Sequence, residues 1–239
     1  MNKEKLINEL TKLGIKLSES QLKLIDDFCL LLLEENKKYN LTSIREYNDV
    51  LLKHVYDSLT LIKVHDLTKN QALLDIGSGA GFPGVILKIA FPNLKITLLD
   101  SNGKKTRFLE LAKKELNLKN LNIIKGRAEE YIKDNRESFD LVTARAVASL
   151  NILIELAIPY LKINGLFIAM KSDISEEIKL AKEACSHLNS EIELIQELLL
   201  PIEKSNRTLV IVKKTSKTPI SYPRRYDQII KKPLKIIVK

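Results

Sequence analysis

Asp75, Gly77, Gly79, Gly81 and Phe82 stand in the run LLDIGSGAGFPG, and the next apolar run ends on Asp100 and Ser101. Glycine is needed where a backbone turns sharply or a ligand lies directly against it. Pro83 suits the first turn of a helix, where its missing N–H costs nothing. A strand, a glycine loop and a helix in that order predict a ligand at the carboxyl end of the strand.

Two ligand classes use such a loop. Gly79-Ala-Gly81-Phe-Pro-Gly84 spells the dinucleotide fingerprint, with Asp100 at the spacing it asks for. The register is off, however. Counted from Gly77, at the strand end, the third glycine is missing and Phe82 stands there. A diphosphate is also poorly served by the Asp75 carboxylate. S-adenosylmethionine carries no phosphate and has a cationic sulfonium and amino group, so acids at the strand ends become assets. Asp100 can accept the ribose hydroxyls, and Phe82 can pack on an apolar part of the cofactor. The spacing D-x-G-x-G-x-G therefore favours a methyltransferase over an NAD-binding oxidoreductase.

The residues after the fourth strand, Thr143-Ala-Arg145-Ala, should face the methyl acceptor. The Asn or Asp followed by Pro-Pro-aromatic that methylates exocyclic amines is absent. Cys29 and Cys185 both lie in helical patterns, so neither offers the thiolate that cytosine carbon 5 requires. Guanine N7 has a free lone pair and no proton to lose, which suits a site without a general base. Positioning alone supplies about 7–11 kcal/mol in ideal cases. Arg145 is expected to hold the cofactor carboxylate or a phosphate, against the alternative of a structural ion pair.

Elements must hold these groups in place. Helical patterns cover residues 3–13, 18–37 and 47–64, the second opened by a Ser18/Gln21 capping box with Leu17 and Leu22 as its staple. After Asn70, apolar runs of five to seven residues alternate with helix-period segments. That alternation predicts an α/β fold, a Rossmann-like, mostly parallel sheet with helices on both faces. Two last strands, IELIQELLL and RTLVIVKK, would form a hairpin at one edge. Residues 1–66 then make a small N-terminal helical subdomain packed on the core, 67–214 the methyltransferase core, and 215–239 a basic, proline-containing tail read as extended or disordered.

The chain has 239 residues, 45% of them hydrophobic, and a formal net charge of +9. Residues 213–239 hold nine Lys or Arg and one acid, so the rest is nearly neutral. A basic tail points to an anionic polymer, or else only keeps the chain soluble. No apolar run is long enough for a membrane span, and the first residues have no apolar signal core. Two distant cysteines and three scattered histidines make neither a disulfide framework nor a metal site. A cytoplasmic monomer without a metal or membrane partner is expected.

Several motifs in order resemble the glucose-inhibited division protein B family, the ribosomal RNA small subunit methyltransferases G. They are Tyr39-Asn-Leu-Thr-Ser-Ile-Arg45, His54-Val-Tyr-Asp-Ser58, Asp75 to Gly84, Leu99 to Phe108, Arg127-Ala-Glu-Glu130, Thr143-Ala-Arg-Ala and the basic tail Tyr222-Pro-Arg-Arg225. Asn102 after Ser101, and Met170-Lys171-Ser172, depart from the usual pattern. The resemblance implies methylation of guanine N7 at position 527 of 16S ribosomal RNA, free or within the small ribosomal subunit. It implies cofactor contacts at Gly77, Phe82, Ala128, Glu129 and Arg145, with Glu129 on the adenine amino group. Arg45, Lys53, His54, Lys104, Lys105, Arg107, Lys171, Arg224 and Arg225 are the candidates for RNA contact, each against the alternative of a solvated or paired charge. His54 with Asp57 reads as a structural pair. A small-molecule methyltransferase, another RNA methyltransferase and a non-enzymatic RNA-binding module remain the other readings.

Overall fold

The structure is a computed structural model and describes residues 1–234. Helices α1 (Lys3–Lys12) and α2 (Glu19–Tyr39) come first. Ser18 caps α2 as its sequence asks: Gln21 N–H donates to Ser18 Oγ at 3.2 Å, and Ser18 N–H donates to Gln21 Oε1 at 2.9 Å. The next helical stretch changes pitch along its length. It passes from α3 (Tyr47–Val50) through a π-helical turn, Leu51–Tyr56, to α4 (Asp57–Leu59) and a 3-10 turn, Thr60–Lys63. A π turn carries one extra residue and so re-aims the side chains that follow. Here it carries Lys53 and His54 and leads into Asp57.

From β1 (Ala72–Ile76) the chain alternates strand and helix. α5 (Gly84–Ala90), β2 (Lys95–Asp100), α6 (Gly103–Glu115), β3 (Leu121–Lys125), α7 (Ala128–Tyr131), β4 (Phe139–Arg145), α8 (Leu150–Ala157) and β5 (Leu161–Lys171) follow in order. Then come α9 (Ile178–His187), β6 (Ser190–Leu199), β7 (Asn206–Lys214) and α10 (Tyr226–Lys231). Among the described residues one seven-stranded sheet forms, in the order β3-β2-β1-β4-β5-β7-β6. Strands β1 to β5 pair in parallel, while β7 runs antiparallel to both β5 and β6. The chain direction across the sheet reverses between β1 and β4, the place where open α/β sheets bind ligands.

The sheet's two faces carry separate apolar layers, because successive strand residues point to opposite sides. Leu73 packs with α2, α5, α6 and the π turn, whereas Leu74 and Ile76 pack with α8 and α9. The N-terminal helices therefore share a core with one face of the sheet: Phe28 of α2 meets Phe82 edge-on, ring centroids 5.5 Å apart.

The C-terminal residues depart from the expectation of an extended or disordered tail. Residues 226–231 form α10, and Ile229 and Leu234 are buried in the second apolar layer. Lys213 and Lys214 belong to β7, and Lys214 is fully buried with its ammonium 2.9 Å from Glu137. Residues 235–239, part of the predicted tail, lie outside the described residues. Among the described residues, no helix is long and apolar enough to cross a membrane.

Candidate active site

The glycine loop is shaped by three left-handed residues, Gly77 (φ 69°), Gly79 (φ 58°) and Gly81 (φ 98°). A Cβ on Gly77 would lie 2.5 Å from Val147 Cγ2, and one on Gly81 would lie 2.6 Å from Val85 Cγ2. Gly79 has more room: its nearest neighbours would be Gly77 O and Lys105 Nζ, both at 3.8 Å. Asp100 ties this loop to the next strand, since its carboxylate accepts Gly79 N–H and Asn102 N–H, each at 2.8 Å.

Beside the loop lies a cavity of about 410 Å³. Gly77, Asp100, Ser101, Ala128 and Glu129 line it, as the sequence predicts, with Ile76, Leu99 and Leu156 as apolar wall. Lys105 also lines it. That volume and mix of an apolar wall with a few polar groups suit a small-molecule site.

Five predicted contacts are not on this wall: Gly79 and Gly81 shape the loop without lining the cavity, Arg145 lies outside it, and Asp75 and Phe82 point elsewhere. Asp75 has no exposed surface and does not line the cavity. It braces the loop from beneath, accepting Gly84 N–H at 3.0 Å, while its other oxygen, Oδ1, is unpartnered. Burial pushes its carboxyl up from the ordinary 3.8 to about 7. The Phe82 side chain is not on the cavity wall either. It is buried against Phe28, stacked on the His54 ring at 4.3 Å, and covered by the Arg145 guanidinium 5.4 Å from its centroid.

Arg145, at the end of β4, is the hub of a charged cluster. Its Nη1 donates to Asp57 Oδ2 at 2.9 Å and to Lys53 O at 3.1 Å. Arg207 of β7 donates to the other Asp57 oxygen at 3.0 Å. The carboxylate of Asp57 is almost fully buried and thus ties α4 to β4 and β7. The structural ion pair weighed for Arg145 exists, but it uses only part of the group. With Arg145 Nη2 on His54 Nδ1 at 3.0 Å, three of five guanidinium donors are engaged.

His54 is largely buried in this cluster rather than on an open face, and its partner is not Asp57. His54 Nδ1 lies 3.0 Å from Arg145 Nη2, which can only donate, and 3.1 Å from Lys53 O, which can only accept. Its Nε2 is hydrogen-bonded to Thr42 Oγ1 at 3.0 Å. Burial first and Arg145 second depress His54 to about 3, so the ring stays neutral.

A second cavity, about 360 Å³, opens on this cluster. Ile44, Lys53, Asp57, Arg145, Met170, Lys171, Ser172 and Arg207 line it, and Ala146 lines both cavities. Ala146 has φ 54°, an uncommon conformation for a residue with a Cβ. Lys53 is 2.9 Å from Glu203, and Lys171 is 2.9 Å from Glu177. Both ammonium groups are held at the cavity rather than free on an open face, which corrects their reading as plain RNA contacts. Arg224 is corrected likewise: it grips the buried Glu155 through Nε at 2.8 Å and Nη2 at 2.6 Å. Arg45, Lys104 and Arg107 are exposed, and with Lys105 they have no ion-pair partner among the described residues. Arg225 is exposed and lies 3.3 Å from Asp227. Sequence reasoning missed Arg207, Glu155 and Tyr226, which long-range folding brings to these places. Spacing alone carries no signal for them.

A family model described as GidB, rRNA small subunit methyltransferase G, matches residues 21–208. The chain is 44% identical over 237 residues to a Bacillus velezensis protein named ribosomal RNA small subunit methyltransferase G, covering 98% of this chain and 99% of that one. A Thermoanaerobacter protein of the same name is 44% identical over 234 residues, covering 97% and 98%. Among solved structures, a SAM dependent methyltransferase from Aquifex aeolicus aligns with a TM-score of 0.56 at 14% identity, over 77% of this chain and 98% of that one. A putative sarcosine dimethylglycine methyltransferase from Galdieria sulphuraria gives 0.53 at 13% identity, over 72% and 89%. These two share the fold with this chain.

Asp57→Ala should leave two arginines unpaired around a buried gap and destabilise the chain by about 3–5 kcal/mol. Urea unfolding measures this, and a loss below about 1 kcal/mol would show that the cluster is not a structural joint. His54 gives a pH test. The unfolded chain binds a proton near 6.5 and the folded ring only near 3, so the His54 contribution is complete above 6.5 and lost as pH falls toward 3. Asp75 works the other way: its ordinary value is 3.8, so its contribution is complete below that and lost as pH rises through about 7. In His54→Gln the histidine slope disappears. Its stability relative to the parent should improve from pH 7 to pH 5, by at most about 1.4 kcal/mol per pH unit. A pH-independent difference in unfolding free energy would contradict the neutral histidine.

Proposed function

The chain belongs to the rRNA small subunit methyltransferase G family, and from that premise we propose that it transfers a methyl group from S-adenosylmethionine to N7 of a guanine in 16S ribosomal RNA, at the position 527 that its family resemblance implies. The observation that carries this reading is a pair of adjoining cavities sharing Ala146, one bounded by the glycine loop and the other by the Arg145–Asp57–Arg207 cluster.

The residues around the first cavity fit the cofactor. Gly77 keeps a Cβ out of space already taken by Val147, and the loop can approach a ligand closely. Asp100 has acceptor capacity left after its two backbone bonds, suited to ribose hydroxyls. Ala128 and Glu129 offer an apolar surface and an acceptor for a purine. Arg145 retains two N–H donors for a carboxylate at the junction. Lys105 and Arg127 are the cations on the wall, too few and too scattered for a diphosphate cradle. When bound, S-adenosylmethionine supplies an electrophilic methyl group.

The second cavity suits a single unstacked base. Arg145 and Arg207 present donors of the kind that recognise guanine O6, and Met170 and Ile44 supply apolar contact. Guanine N7 needs no deprotonation, so the chain needs only to orient the base and exclude water. Neutral His54, sealed behind Phe82, is consistent with that and serves to fix Arg145. Lys104, Lys105, Arg107, Arg45 and Arg225 are the proposed phosphate contacts, acting on RNA in the cytoplasm, with the chain as a monomer.

Purified chain with labelled S-adenosylmethionine should methylate small ribosomal subunits, or their RNA, taken from a strain lacking the modification. Borohydride and aniline treatment followed by reverse transcription should then give one new stop. No label transfer, with tight binding of a pyridine nucleotide instead, would contradict the proposal. Replacing Lys104 and Arg107 together by Ala should flatten the salt dependence of RNA affinity, by about one unit of slope for each phosphate no longer neutralised. An unchanged slope would remove them from the interface.

A further inference from the structure

The segment after β7 returns across α8 to the first cavity, and it is fastened there by contacts within the chain. Arg224 forms a two-pronged pair with Glu155 of α8, whose side chain is 1% exposed, and Arg224 N–H donates to the same carboxylate at 3.1 Å. Arg224 Nη1 also donates to Lys232 O at 2.9 Å, closing the segment on itself. Arg136 donates to Tyr222 O from the other side. Ile229 and Leu234 then seat the segment in the apolar layer. The result of this fastening is that Tyr226 lines the cavity of the glycine loop, at the end where Arg127, Ala128 and Glu129 lie. The Arg127 guanidinium stands over the Tyr226 ring at 5.8 Å.

We infer that residues 222–234 are a strap that completes the cofactor site, with Tyr226 as its contacting residue for a flat heteroaromatic group such as adenine. This rests on the cofactor reading given above. A phenol ring beside a purine-sized space gains stacking and dispersion, and it covers that end of the cavity from water. Glu155 and Arg224 act through Tyr226: a buried carboxylate and a bidentate guanidinium hold it in register. The C-terminal basic residues thus divide in two. Arg224 serves the cofactor side, whereas Arg225, 81% exposed, stays available to solvent.

The test is calorimetric binding of S-adenosylhomocysteine to the full chain, with no turnover involved. Tyr226→Ala should weaken binding about tenfold, and Tyr226→Phe should restore it to within about twofold. In parallel, S-adenosylhomocysteine should slow tryptic cleavage after Arg225 and Lys231 in the unmodified chain, a reading that does not depend on any variant folding. Unchanged affinity in folded Tyr226→Ala, or cleavage that ignores the ligand, overturns the strap. Failure of the unmodified chain to bind S-adenosylhomocysteine at all would instead overturn the cofactor reading.

Discussion

The Asp57 carboxylate, shared between Arg145 and Arg207, is the contact on which the arrangement of the site depends. It joins three segments that are distant in sequence: the helical stretch before the sheet, the end of β4 and the antiparallel strand β7. A buried carboxylate with one cationic partner is costly, but two directed pairs satisfy both oxygens. Immediately after Arg145, Ala146 takes up a left-handed conformation. That residue is the wall common to both cavities. A stability device and a positioning device are therefore the same few atoms.

The π-helical turn belongs to this logic. Lys53 and His54 lie within it and Asp57 directly follows, and Lys53 O, His54 Nδ1 and Asp57 Oδ2 all meet the Arg145 guanidinium. His54 then stacks on Phe82, so the same cluster also presses on the glycine loop. The loop is held from beneath by Asp75, from the side by Asp100 and from the helical side by Phe28. Little of it is left to be ordered by a ligand, which lowers the entropic cost of binding.

Much of the fold was legible because it follows local rules. The Ser18/Gln21 capping box, the proline after the glycine loop and the five parallel strands each declare themselves in a handful of residues. The cavity residues at strand ends, Gly77, Asp100, Ser101, Ala128 and Glu129, were legible for the same reason: the fold puts ligands there. What the sequence could not convey is which charge meets which. Asp75 and Phe82 have the right spacing for ligand contact, yet their side chains point into the core under the loop. Arg224 looks like part of a nucleic-acid tail until Glu155, 69 residues earlier, is found beneath it. Net charge does not separate a cation that is free from one already paired.

The central claim is that one cluster fixes both cavities, with the methyl donor on the glycine-loop side and Arg145 still anchored to Asp57. A crystal structure of the chain with S-adenosylhomocysteine tests it most directly. The account predicts density in the cavity bounded by Gly77, Asp100 and Ala128, with the Arg145–Asp57 contact intact. Density elsewhere, or an Arg145 that has left Asp57 to reach the ligand, would contradict it.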